Sequence, residues 1–225
     1  MFDINVYCNL DFTLAKNYLL SFKYPWQALR ELKDFICILG ESLNKCEYNS
    51  PIKGVWIHKT ATVAPSAQIC PPCIIGADTQ VRHCAFIRGS VLIGENCVIG
   101  NSTEIKNSIL FDRVQVPHYN YIGDSILGYK CHLGAGAVTS NVKSDKSEIC
   151  LNLEGEVIHT QLKKFGAIIG DECEIGCGCV LNPGTIIGRN TNVYPLTSVR
   201  GVWESNCIVK SSDVCVNKIP KGERG

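Results

Sequence analysis

The sequence predicts a mainly β chain wound as a single-stranded parallel β-helix, and two periodic observations carry that reading. Counting by six from Ile57 meets Val63, Ile69, Ile75, Val81, Ile87, Ile93, Ile99 and Ile105, all Ile or Val. A second run reads Ile169, Ile175, Leu181, Ile187, Val193 and Val199. Two residues before each beat the side chain is small or slender, as in Ala67, Cys73, Thr79, Ala85 and Cys97, and later in Cys173, Cys179, Thr185 and Thr191. Helical faces recur about every 3.6 residues and strand faces every two, so neither gives a period of six. A hexapeptide period fits a triangular coil in which each unit makes one side and three units close a turn. The β-branched beat fills the interior. The glycines after the beat (Gly76, Gly94, Gly100, Gly170, Gly176, Gly188) are expected at corners of positive φ.

Residues 1–50 lack the repeat. The stretch "YPWQALRELKDFICILG" reads as a helix. Pro25 suits its first turn, Leu29, Leu32, Ile36 and Leu39 recur at helical spacing, and Gly40 is expected to end it. This segment is expected as a helical cap or linker that covers the open end of the β-helix, with docking or oligomerisation as the other reading. The β-helix itself is assigned to 51–210. Its beat is expected to slip around Pro117 and His118. A polar, lysine-bearing loop interrupts it at about 140–164, either a functional loop or a tolerated insertion. Residues 211–225 form a C-terminal tail ending in "KIPKGERG".

With 22 basic and 21 acidic residues, the chain has no charge excess to drive nonspecific nucleic-acid binding. No apolar run approaches membrane-spanning length, and the opening "MFDINVYCNLDF" carries no secretory-signal pattern. A cytoplasmic location is expected, with the 14 cysteines reduced. "CPPC" and "CEIGCGC" invite a metal reading. The repeat, however, places Cys73, Cys97, Cys131, Cys173 and Cys179 in the slender slot as small hydrophobes, and no metal site is expected.

Arg88 and Lys106 each follow a beat and lie 18 residues apart, one full turn. They should stack on adjacent coils, about 4.8 Å apart. Two cations that close repel unless an anion lies between them, so the pair reads as a phosphate clamp or as two solvated charges that splay apart. His118, beside a proline and two tyrosines, is the candidate general base near neutral pH. "HLGAGAV", His132 to Val138, offers sparsely covered backbone N–H groups for a developing oxyanion.

The residues "IRGS…EIKNS…VPHYNYIGDSILGYKCHLGAGAVTSN" resemble the acetyltransferase domain of bifunctional N-acetylglucosamine-1-phosphate uridylyltransferases and their archaeal relatives, a hexapeptide-repeat acyltransferase family. The likeness runs from about Ile52 to about Val209. It implies a left-handed coil. It implies an acetyl-CoA-dependent N-acetyltransferase acting on an amino-sugar 1-phosphate such as glucosamine 1-phosphate, with no metal needed for acetyl transfer, at a groove between subunits of a homotrimer. By the same resemblance His118 is the base, and Arg88 and Lys106 hold the sugar phosphate. Tyr121 and Asn141 contact the amino sugar, and Ala135, Cys177 and Pro195 lie along the acetyl-CoA. The chain departs from the family where it has His132 for asparagine, Val142 for tyrosine and Cys177 for serine. It also lacks the glycine-rich signature of the nucleotidylyltransferase half, so that activity is not expected of this chain. Two other readings stand beside this one. One is a catalytically degenerate β-helix that binds a nucleotide sugar or a partner. The other is a zinc enzyme of the γ-carbonic-anhydrase type, which needs two histidines five apart, whereas His118 and His132 are 14 apart.

Overall fold

The computed structural model describes residues 3–153 and 155–219, so the end of the expected tail, 220–225, lies outside the described residues. From Val55 the chain winds as a single-stranded parallel β-helix whose three faces, with the antiparallel end strands Tyr48–Ile52 and Cys215–Asn217 counted, are sheets of nine, nine and seven strands. The first face includes Cys73–Ile75, Val91–Ile93, Ser108–Leu110, Ile126–Leu127, Ala167–Ile169 and Thr185–Ile187. The second includes Val98–Asn101, Gln115–His118, His132–Leu133, Glu174–Ile175 and Asn192–Val193. The seven-stranded third face includes Phe86–Ile87, Glu104–Lys106, Tyr121–Gly123 and Val138–Thr139.

The beats fill the interior as expected, with Ile75, Ile87, Ile93, Ile99, Ile105, Ile169, Leu181 and Ile187 buried in one continuous core. The slender slot asks for more than small size. Thr79 Oγ1 donates to Gly94 O at 2.8 Å, Thr103 Oγ1 to Val116 O at 2.9 Å, Cys173 Sγ to Gly188 O at 3.0 Å and Cys179 Sγ to Tyr194 O at 3.0 Å. Threonine and cysteine alternate there because each is slender and carries a donor for a corner carbonyl of the next coil.

Two expectations about the repeat are corrected. The glycines directly after the beat are not the positive-φ residues. In those hexapeptides positive φ falls two positions later, at Asp78, Asn96, Ser102, Glu172, Gly178 and Asn190. The glycines answer instead to the close approach of neighbouring coils: a Cβ at Gly76 would lie 2.5 Å from Gly94 O. Nor does the beat slip at Pro117 and His118, since Val116 and Ile122 are both interior and six apart. Early coils advance by 18 residues, pairing Cys73 with Val91 and Gln80 with Val98. Later ones advance by 17, pairing Val91 with Ser108, Glu104 with Tyr121 and Gln115 with His132. The residues are lost between Ile105 and Leu110 and between Ile122 and Leu127, at corners turned by Asn107 (φ 45°) and Asp124 (φ 49°).

The N-terminal helices α1 (Ile4–Tyr7), α2 (Lys16–Leu20) and α3 (Ala28–Ser42) do not cap the open end. They lie along the first face, whose middle residues Ile74, Leu92, Ile109, Ile126, Ile168 and Ile186 point outward and are buried with Trp26, Leu29, Leu32 and Ile36. Outward aliphatic side chains on consecutive coils form an apolar stripe that needs a cover, and the amphipathic face of α3 supplies it. Gly40 does not end α3. It lies within the helix, where its missing Cβ lets the backbone meet the Trp56 indole. At the first coil, Tyr48–Ile52 pairs antiparallel with Val55–His58.

The insertion raises the advance to 42 residues, pairing Ile126 with Ile168 and His132 with Glu174. It contains an antiparallel hairpin of Cys150–Leu153 against Glu156–His159. At the far end Cys215–Asn217 folds back against Cys207–Val209, and Lys218 Nζ donates to the Asn190 and Asn192 side chains. All 14 cysteines are free thiols. The cover over the first face predicts that Leu92→Ala loses about 2–5 kcal/mol of unfolding free energy with the coil retained. A urea titration followed by far-ultraviolet circular dichroism checks both.

Candidate active site

Coil stacking brings the expected site residues into two groups on either side of the third face. The first group is a column at the corner between the second and third faces. His118 pairs with Asn101, and the registers of Gln115 with His132, His132 with Glu174 and Glu174 with Asn192 set Ala135, Cys177 and Pro195 above it in turn. Backbone bonds tie each step: Tyr119 N–H to Asn101 O at 3.0 Å, Gly136 N–H to His118 O at 3.0 Å, Gly178 N–H to Ala135 O at 2.8 Å and Leu196 N–H to Cys177 O at 2.8 Å. His118 and the three residues that the resemblance sets along acetyl-CoA therefore share one edge.

His118 and Cys177 are exposed on this edge. The backbone behind His118 is held by Asn120, which the sequence reading did not single out. Its buried side chain accepts from His118 N–H at 3.1 Å and donates to Gly134 O at 2.9 Å and Ala137 O at 3.1 Å. His118 occupies the same corner position as Asn101 one coil earlier, so its ring is not turned out of its neighbours' register. Most N–H groups of "HLGAGAV" are engaged: Gly134 donates to Ile175 O at 2.7 Å, Gly136 to His118 O and Ala137 to Gly134 O at 3.1 Å. Among the described residues the Ala135 N–H has no such partner.

The second group gathers at the corner between the third and first faces. Lys106, Tyr121 and Asn141 converge on Asp124. Its buried carboxylate accepts from Asn107 Nδ2 at 2.8 Å and from Asn141 Nδ2, and pairs with Lys106 Nζ at 3.3 Å. Asn141 Nδ2 also reaches Tyr121 Oη at 3.3 Å. Burial, then the nearby Asp124 charge, pushes the Tyr121 phenol up, so it is a donor-capable hydroxyl at neutral pH. Asp124 went unnamed in the sequence reading, although a signal exists: the shortened corner between Ile122 and Leu127 is the one that Asp124 turns.

Arg88 and Lys106 do lie on adjacent coils of the third face, following the paired beats Ile87 and Ile105. Neither is an unpaired cation. Arg88 Nη1 meets Glu104 Oε1 at 2.7 Å and Lys106 meets Asp124, so the repulsion expected from stacking is relieved by protein carboxylates. The other histidine of the sequence reading lies apart. His132 Nδ1 pairs with Glu174 Oε2 at 2.8 Å on the second face, in a polar cleft of about 810 Å³ lined also by Gln115, Lys130, Asn190 and Lys218. Val142 is exposed beside a shallower cleft formed with Lys143, Asn182 and Arg200. Cys73, Cys173 and Cys179 point into the core, which removes them from any metal site built on "CPPC" or "CEIGCGC".

A family profile described as "GMPPB C-terminal domain" matches residues 72–151. The "Bifunctional protein GlmU" of Methanococcus maripaludis strain C5 is 33% identical over 190 residues, covering 84% of this chain and 44% of that protein. The "Bifunctional sugar-1-phosphate nucleotidylyltransferase/acetyltransferase" of Sulfurisphaera tokodaii is 28% identical over 183 residues, covering 80% of this chain and 46% of that protein. The chain thus spans about half the length of the curated relatives it matches. Among solved structures, the UDP-N-acetylglucosamine O-acyltransferase of Moraxella catarrhalis is 16% identical, with a TM-score of 0.42 over 70% of this chain and 69% of that one.

The Asp124 cluster predicts that Asp124→Ala destabilises the protein by about 1–3 kcal/mol, because the half-buried donors of Asn107 and Asn141 and the Lys106 charge lose their acceptor. Thermal unfolding monitored by circular dichroism reads the loss.

Proposed function

Because the chain is a hexapeptide-repeat β-helix related to part of the GlmU-type bifunctional proteins, we propose that it is an acetyl-CoA-dependent N-acetyltransferase acting on an amino-sugar 1-phosphate. The observation that supports this best is the alignment of His118, Ala135, Cys177 and Pro195 on one corner, with Arg88, Lys106, Tyr121 and Asn141 carried by the adjoining face and its far corner. One edge of the coil then offers a base, an unengaged N–H and a strip for a thioester, and the face beside it offers cations and sugar-binding polar groups.

In this reading acetyl-CoA lies along the Ala135–Cys177–Pro195 edge. His118 removes a proton from the acceptor amine as its nitrogen attacks the thioester carbonyl. The Ala135 N–H donates to the oxyanion of the tetrahedral intermediate. The carbon–sulfur bond breaks, coenzyme A leaves as the thiolate, and the proton on His118 passes to it. Tyr121 and Asn141 orient the sugar, and the phosphate takes over Arg88 from Glu104 and approaches Lys106 where Asp124 holds it. A second and third copy around a threefold axis would wall the open corner into a groove, which is the homotrimer this reading expects. No helix among the described residues is long and apolar enough to cross a membrane, and the free thiols fit a reducing, cytoplasmic setting.

The test is a screen of amino-sugar 1-phosphates with acetyl-CoA, following free thiol release. His118→Ala should lower turnover by about 10²–10⁴ with the thermal transition unchanged. Unaltered turnover removes His118 from the role of base. Absence of acetyl-CoA binding in calorimetry replaces the whole reading with a β-helix that only binds a nucleotide sugar or a partner.

A further inference from the structure

The inserted hairpin carries a side-chain cluster that the proposed acetyl transfer does not use. Alternation along the strand turns Ile149 and Leu151 inward, where both are buried beside Phe165, and so turns Glu148 and Cys150 to the outer face. The antiparallel register then sets His159 directly across from Cys150. Cys150 Sγ lies 3.7 Å from His159 Nδ1, and Glu148 Oε2 lies 3.5 Å from the same nitrogen. The donor atoms of all three residues lie within 4.8 Å of one another. The Gln161 backbone N–H donates to Glu148 Oε1 at 2.5 Å, which fixes that carboxylate and leaves Oε2 toward the histidine.

The two separations from His159 Nδ1 are close to those of a metal's ligand shell. A tetrahedral ion with bonds of about 2.3 Å to sulfur and about 2.0 Å to nitrogen or oxygen holds its donors roughly 3.4–3.6 Å apart. The donor set selects the ion class. A thiolate and an imidazole are poor ligands for magnesium or calcium, which take oxygen, whereas thiolate, imidazole and carboxylate together suit a borderline-soft divalent ion. We propose that Glu148, Cys150 and His159 bind such an ion, with zinc the best match, and leave one coordination position open to water or to a donor from another molecule. On binding, Cys150 releases its proton to solvent and ligates as the thiolate. The ion would tie the base of one hairpin strand to the end of the other, at the loop that begins just after Asn141.

The proposal is independent of the acetyltransferase reading and is tested without any activity. The full chain is stripped with a chelator, exposed to zinc sulfate, dialysed and analysed for metal beside Cys150→Ser and His159→Ala. Both substituted positions are exposed, so the fold should be kept, and circular dichroism checks it. The expected result is one more bound ion per chain in the unsubstituted protein than in either variant. Cobalt(II) loading should also give a thiolate-to-metal charge-transfer band that Cys150→Ser lacks. Equal zinc content in all three proteins, or a cobalt band that survives Cys150→Ser, overturns the site.

Discussion

The stacking of each coil on the next is the constraint from which the rest of the structure follows. Once a backbone N–H must meet a carbonyl of the adjacent coil, a residue's spatial neighbours are fixed by counting along the chain. The triangular interior leaves room for one β-branched beat and one slender residue per side, and a carbonyl of the next coil accepts from Thr79, Cys97, Thr103, Cys173, Cys179 and Thr185. That carbonyl explains why threonine and cysteine share the slot where alanine would also fit. Burial pushes the Cys97 and Cys173 thiols up to about 12, so they remain protonated and keep donating to Phe111 O and Gly188 O.

Coil length therefore controls which side chains meet. The shift from 18 to 17 residues takes place entirely at the corners turned by Asn107 and Asp124, and it leaves the His118 corner regular. Shortening draws Asp124 into a buried position, where Asn107, Asn141 and Lys106 close around it. The regular corner keeps a continuous column along its edge, and the irregular one builds a compact polar knot.

Much of this was legible in the sequence. A period of six cannot belong to a helix or a plain strand, so Ile75 through Ile105 mark the coil and its interior in the sequence itself. His118 stood out by its own surroundings, whereas Ala135, Cys177 and Pro195 came from resemblance alone, although the column they share is a matter of counting. The placement of α3 is not legible in the beats, which describe the interior alone. Ile74, Leu92, Ile168 and Ile186, each one residue before a beat, already marked a face that could not be left in water. The meter was misread around His118 because a missing residue shows itself only when the beat is recovered on both sides, at Leu110 and again at Leu127. The cluster of Glu148, Cys150 and His159 was out of reach, since hairpin register rather than the hexapeptide count brings it together.

The two cations of the third face are not equivalent, and the difference bears on how a phosphate would be taken up under the proposed reading. Lys106 is largely buried and held by Asp124, which is itself fixed by two amide donors. Moving that ammonium would leave a buried carboxylate short of a partner, so Lys106 acts as a fixed charge at the end of the sugar site. Arg88 lies in the open with Glu104, in a pair that solvent screens, and that contributes little to holding either side chain. Its guanidinium presents the planar donor fork suited to two phosphate oxygens, on a long stem free to swing from one acid to another. A ligand that replaces Glu104 at Arg88 thus gives up little, while one that approaches Lys106 gains a charge already in place. Pairing each cation with a carboxylate keeps the face near neutral when empty and leaves a dianion as the ligand best able to displace the looser of the two.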